Sequence, residues 1–196
     1  THGCSPISSF MEITKIEGNL LFEIDNRPAL DVIVETLGLT KSEEDIKKLT
    51  TVGTIGAKQG DPYAPFREED YVNRLMVTAI VENGAVVLFD EGYTVGTKIQ
   101  IMSRDNELML ESTKTEAARL FDRVANPALA FYINCAGRSS ALCGAETEDV
   151  DTLKAVIGDR VPLLAFYSGV EVAPLHGKSQ PLDWTGVLAM FSSNSL

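Results

Sequence analysis

The sequence predicts an α+β (α/β) domain, a mixed and largely antiparallel sheet with helices packed on it. Three observations carry this reading. Two apolar runs, Ala128–Asn134 and Val161–Ser168, have the make-up of buried strands and are separated by one helical pattern. That arrangement suits a parallel pair joined by a crossover helix. Asn83-Gly84, between the runs Arg74–Val81 and Ala85–Phe89, is the strongest short signal for a hairpin. Leu30, Ile33, Val34 and Leu37 recur at helical spacing, with Gly38 as a stop.

In chain order, Glu12–Ile16 and Leu20–Ile24 alternate apolar and polar residues around Glu17-Gly18-Asn19, as a hairpin does. Asn26 is placed to cap the helix at Leu30–Leu37, and Pro28 suits its first turn. Ser42 with Asp45 opens a shorter helix that carries Ile46 and Leu49. Thr51–Ile55 reads as a strand, and residues 56–69 as a long loop broken by Gly60, Pro62 and Pro65.

Gly92-Tyr93-Thr94-Val95-Gly96 is a turn and Lys98–Met102 a strand, so Arg74–Met102 reads as an antiparallel meander. Ser103 is expected to cap a long helix with the stripe Leu110, Ala117, Leu120, Phe121 and Val124, ended by Asn126-Pro127. The near-continuous apolar character of Ala128–Asn134 is that of a central strand covered on both faces. Glu146–Ile157 supplies the crossover helix through Val150, Leu153 and Ile157, and Gly158 terminates it. Glu171–Ala173 and Thr185–Phe191 are further extended segments.

The 196 residues, 44% of them hydrophobic, suffice for one domain with a real core, or one domain with a small appendage. A net charge of −11 repels a phosphate backbone, so no nucleic-acid partner is expected. Cys4, Cys135 and Cys143 form no paired framework, which fits a reducing, cytoplasmic compartment. No apolar run approaches the ~18 residues of a membrane span, and no secretory signal is visible.

Chemistry concentrates where the two buried-type strands end. The first offers Asn134, Cys135, Gly137 and Arg138, and the second Gly169, Glu171 and His176, with Thr185 further on. Convergent strand ends are where α/β proteins place ligand sites. An Arg138 guanidinium could clamp a ligand carboxylate, or pair structurally with a nearby acid. Glu171 could receive a ligand ammonium, or pair with Arg138. Cys135 could serve with His176 in a thiol hydrolase or transferase, or fill core space as a small buried residue. His176 could also ligate haem, or simply be exposed. No cluster has metal-ligand spacing, and Gly137 with Gly144 makes no phosphate loop.

The order of several short motifs resembles a known family. RPALDVIVETLG, EGYTVGTKIQIM, INCAGR and AFYSGVEVAPLHGK with its trailing LDWTGVL together resemble the C-terminal domain of the FIST family of bacterial intracellular signal-transduction sensors. The likeness runs from about Leu21 to Phe191. Gly169, Glu171 and Pro174 sit in the family's last motif, with Val170 interposed and Asp183 where asparagine is usual. The resemblance implies a cytoplasmic sensory domain, not an enzyme, that binds a small ligand such as an amino acid and acts on a signalling output protein or domain. It implies no cofactor. It also implies that residues 1–26 are a hairpin leading in from an N-terminal FIST half, and that 27–196 form the FIST C-terminal domain.

Overall fold

The computed structural model describes residues 1–193 and divides into two compact units, Cys4–Arg104 and a second made of Thr1–Gly3 with Asp105 onward. The N-terminal hairpin is built into the first unit, where it pairs with strands on both sides.

The first unit contains β1 (Cys4–Pro6), β2 (Met11–Glu17), β3 (Leu20–Ile24), β4 (Arg27–Pro28), α1 (Ala29–Leu37), α2 (Glu43–Val52), β5 (Gly53–Lys58), β6 (Tyr71–Ile80), β7 (Ala85–Leu88) and β8 (Lys98–Arg104). Six of its strands close into a ring. β2 pairs with β3, β3 with β7, β7 with β6, β6 with β5, β5 with β8, and β8 returns to β2, all antiparallel. β8 therefore does not follow β7 in a meander, as its sequence position suggested. Closure gives β5 and β2 a partner on their otherwise open sides.

The ring holds one apolar core. Ile13, Leu21, Ile24, Ile55, Met76, Val86, Leu88, Ile99 and Ile101 are buried together with Leu30, Ile33 and Val34 of α1. Tyr93 joins them, its hydroxyl 2.8 Å from the carbonyl oxygens of both Ile55 and Val72.

Local chemistry explains most boundaries. Asn26 does not cap α1. Asp25 and Asn26 both take positive φ (49° and 60°) and turn β3 back into β4, a conformation these short polar side chains tolerate. Gly38 ends α1 at φ 67°, and the Leu39 N–H reaches the Val34 carbonyl at 2.8 Å. Ser42 Oγ accepts the Asp45 N–H, as expected for the cap of α2. That helix continues to Val52, so the strand begins later than read, and Gly56–Lys58 are strand because they pair with Tyr71–Asn73. The β6–β7 turn is also looser than Asn-Gly suggested. Ile80 pairs with Ala85, four residues lie between, and only Gly84 has positive φ (70°). Asn83 instead accepts the Ala85 N–H through Oδ1.

The second unit contains α3 (Asn106–Arg123), β9 (Pro127–Cys135), α4 (Ser140–Cys143), α5 (Asp149–Ile157), β10 (Leu163–Ser168), β11 (Glu171–Leu175), β12 (Lys178–Leu182) and β13 (Gly186–Ser192). Asp105, not Ser103, caps α3, accepting the N–H groups of Glu107 and Leu108 at 2.9 and 3.0 Å. Ser103 stays in β8, opposite Gly53. The buried stripe of α3 is Met109, Thr113 and Ala117, rotated from the expected one, although Ala117 and Phe121 do pack on the core.

β10 runs parallel to β9 and β13 antiparallel on its other side, while β11 and β12 form a separate hairpin. The parallel pair and its α5 crossover are as the sequence predicts. The expectation that β9 is covered on both faces is corrected. Ala130, Tyr132 and Asn134 are buried, whereas Phe131 and Ile133, pointing the other way, are only partly so. The helices lie on one side only.

Gly56 marks a close approach in the barrel unit, where a Cβ would overlap Met102 Sδ and crowd Tyr71 and Asn73. Gly56→Ala is expected to lower stability by about 1–3 kcal/mol through overpacking. Urea denaturation checks this, and an unchanged midpoint would show that Met102 does not pack there.

Candidate ligand site at the end of the parallel strands

The register of β9 and β10 sets Cys135 beside Ser168, so both strands finish on one edge. β13 enters the same edge with Gly186 opposite Asn134, and the Thr185 carbonyl accepts the Cys135 N–H at 3.1 Å. The convergence read from the sequence therefore occurs. It depends on two glycines. A Cβ on Gly137 would overlap the Trp184 ring, and one on Gly186 would overlap the Tyr132 hydroxyl.

Arg138 lies under this edge, 1% exposed. Its Nε–H donates to Asp149 Oδ2 at 2.8 Å, and Nη2 lies 2.8 Å from the same oxygen. Nη2 also donates to Thr113 Oγ1, and Nη1 to the carbonyls of Thr1 and Trp184. Asp149 further accepts from the Asn134 amide at 3.0 Å and the Tyr132 hydroxyl at 3.3 Å. Burial pushes the Tyr132 hydroxyl up to about 12.

Of the readings open for Arg138, the structural pair with a nearby acid is the one seen: its donors go to Asp149 and to the protein's own oxygens, not to Glu171 or to open space for a ligand carboxylate. Asn134 is likewise turned inward. The sequence reading missed Asp149, whose one signal was an acid in the first turn of the crossover helix.

Glu171 is different. It is 1% exposed, and neither carboxylate oxygen has a hydrogen bond of ordinary geometry. Around it lie the Cys135 thiol, the Thr185 backbone and the charges of Asp183 and Arg138. Burial pushes its carboxyl up to about 7 and Asp183 adds to the rise, with Cys135, Arg138 and Thr185 opposing only in part. Burial and the Glu171 charge also raise the Cys135 thiol. Gly169, at the mouth of the turn, is exposed and has open space where a side chain would be.

His176 does not join this group. It occupies the exposed two-residue turn of the β11–β12 hairpin with φ 47°, beside Gly177 at 78°. It lies five steps along the strand from Glu171, roughly 16 Å at the rise of an extended chain. The structure brings together Cys135, Gly137, Glu171 and Thr185, with Asn134 and Arg138 as a buried layer beneath. A separate open depression on the barrel unit, lined by Ile16, Gly18, Glu91, Gly92 and Tyr93 among others, presents no comparable buried carboxylate.

Comparison with known proteins agrees with the motif order. The family model for the FIST C domain matches residues 29–174, and the chain belongs to that family. An uncharacterized protein of Mycobacterium bovis is 29% identical over 198 residues, covering 97% of this chain and 49% of its own length. An uncharacterized protein of Mycobacterium tuberculosis is 24% identical over 193 residues, with the same coverage. The chain thus spans about half the length of the curated relatives it matches. No solved structure matches it. Among the described residues, no helix is long and apolar enough to cross a membrane. FIST C membership ties the chain to sensory signal transduction.

Three outcomes follow from this geometry. Arg138→Met is expected to cost about 3–5 kcal/mol, because it leaves Asp149 buried and uncompensated; calorimetric unfolding checks it. Cys135 is expected to react slowly with iodoacetamide at pH 7, with an apparent pKa above the ~8.5 of a free thiol; fast labelling there would overturn the environment described.

Glu171 gives a pH signature. Its folded pKa lies near 7, above the ordinary value of 4.5, so the folded state holds the proton more tightly. Stability then declines as pH rises from the unfolded pKa through the folded one. Glu171→Gln mimics the protonated form, so it is expected to match wild type near pH 4.5 and exceed it at pH 8, by at most on the order of 3 kcal/mol. Equal melting curves at pH 8 would refute it.

Proposed function

We propose that this chain is a cytoplasmic sensory domain that binds a small ammonium-bearing ligand, such as an amino acid, and reports its presence to a signalling output protein or domain. The observation that carries this reading is the Glu171 carboxylate, buried at the strand-end edge without a hydrogen-bond partner of ordinary geometry. A buried carboxylate in that state is costly, and a cation that pairs with it recovers the cost. The exposed Gly169 turn leaves an approach on this side. The three free cysteines fit a reducing compartment. The ligand's own carboxylate finds no guanidinium here, so it is read by other groups, with the Cys135 and Thr185 region the nearest.

Calorimetry with a panel of amino acids, at pH 6 and pH 8, tests the reading. Binding is expected to tighten about tenfold over that interval as Glu171 ionises, since a group with pKa near 7 goes from mostly protonated to mostly charged. Glu171→Gln should weaken binding at pH 8 at least about tenfold, the loss of one charge-assisted contact. Absence of binding by every member of the panel to wild type at pH 8 would overturn it.

A further inference from the structure

The strand-end edge is rich in acceptors and short of donors. Arg138 gives Nε, Nη1 and Nη2 to Asp149, Thr113 and the carbonyls of Thr1 and Trp184. The Asn134 amide donates to Asp149 at 3.0 Å, and the Thr185 hydroxyl to the Asp183 carbonyl at 3.0 Å. The Cys135 N–H goes to the Thr185 carbonyl and the Ser168 hydroxyl to the Val170 carbonyl. The Cys135 thiol is a weak donor by nature. Against these stand two acids. Glu171 is 1% exposed, with neither oxygen in a hydrogen bond of ordinary geometry. Asp183 is 4% exposed, and its charge acts on Glu171.

An α-amino acid carries both its charges on one carbon. Its ammonium would meet Glu171, and its carboxylate would meet the same two acids where the donors are spent. A carboxylate placed so, out of water and beside like charges, is costly. The net charge of −11 also draws in a cation more strongly than a zwitterion. The turn by which Glu171 is approached, Ser168-Gly169-Val170, has no charged side chain and leaves Val170 46% exposed. We infer that the preferred ligand of this site is a primary amine with a small apolar tail and no carboxylate, the decarboxylated counterpart of an amino acid. The inference rests on the reading of Glu171 as an ammonium site and narrows it: an amino acid with the same tail binds, but more weakly.

Calorimetry at pH 8 tests it with isoamylamine against leucine and phenethylamine against phenylalanine, each pair differing only by the carboxylate. The amine is expected to bind at least about tenfold tighter in each pair. Leucine amide keeps the bulk of the carboxylate without its charge, so it should bind more like the amine than like leucine. In Glu171→Gln the preference for the amine should shrink, because one repelling charge is gone. Leucine binding as tightly as isoamylamine overturns the inference and leaves the ammonium reading of Glu171 standing. So does a leucine amide as weak as leucine, which would trace the preference to size, or a preference unchanged in Glu171→Gln, which would place its origin elsewhere. If no member of either pair binds, the ammonium reading itself fails and the inference falls with it.

Discussion

The strand-end edge depends on one buried ion pair, Arg138 with Asp149. Moving two charges out of water costs several kcal/mol per ion, and the attraction between them offsets this only when their remaining hydrogen-bonding capacity is filled. Here it is filled from five directions. Thr1 lends a carbonyl, Thr113 a hydroxyl from α3, Trp184 a carbonyl from the lead to β13, and Asn134 and Tyr132 donate to Asp149 from β9. One ion pair thus ties the chain start, a helix, the central strand, the crossover helix and the approach to the last strand into one arrangement.

This arrangement also explains the state of Glu171. The cation whose charge acts on it is Arg138, and that charge is paired with Asp149 at 2.8 Å. What reaches Glu171 is a weak attraction, opposed by Asp183 and outweighed by burial. The same edge therefore holds one satisfied carboxylate and one that is not. A buried carboxyl pushed up in the way Glu171 is marks a candidate functional site.

Much of this was legible in the residues, and the failures have physical causes. The parallel pair was visible because β9 and β10 are short apolar runs around a helical pattern. The N-cap of α2 at Ser42 and the stop at Gly38 were visible because capping chemistry is local. The Asp105 cap was missed in favour of Ser103 because the pairing of Ser103 with Gly53 in β8 is non-local. Barrel closure was hidden for the same reason: hydrophobic alternation in Lys98–Met102 identifies a strand but not its neighbours. At the site, the alternative that Arg138 pairs structurally with a nearby acid is the one the structure shows, but the acid is Asp149 rather than Glu171. Asp149 lies eleven residues on, in the first turn of the crossover helix, and only the fold brings it to the arginine.

The closed ring of the barrel unit has a consequence for how the chain reaches its native state. Most of its strands meet through short connections: β2 with β3 and β6 with β7 are adjacent hairpins. The exceptions are β8, which pairs Ile99 with Met11 and Ile101 with Ile55, and the β3–β7 seam, which pairs Leu20 with Val87. Those contacts require loops of tens of residues to be closed before any energy is returned, and such loop closure is what slows the folding of β-rich proteins. In the second unit, α5 lies between two strands that are immediate neighbours in the sheet, and that section can assemble through nearer contacts. Closing the ring at β8 and at the β3–β7 seam is therefore the entropically costly part of assembly. Until it happens, the free sides of β2 and β5 stand open to pairing with another chain.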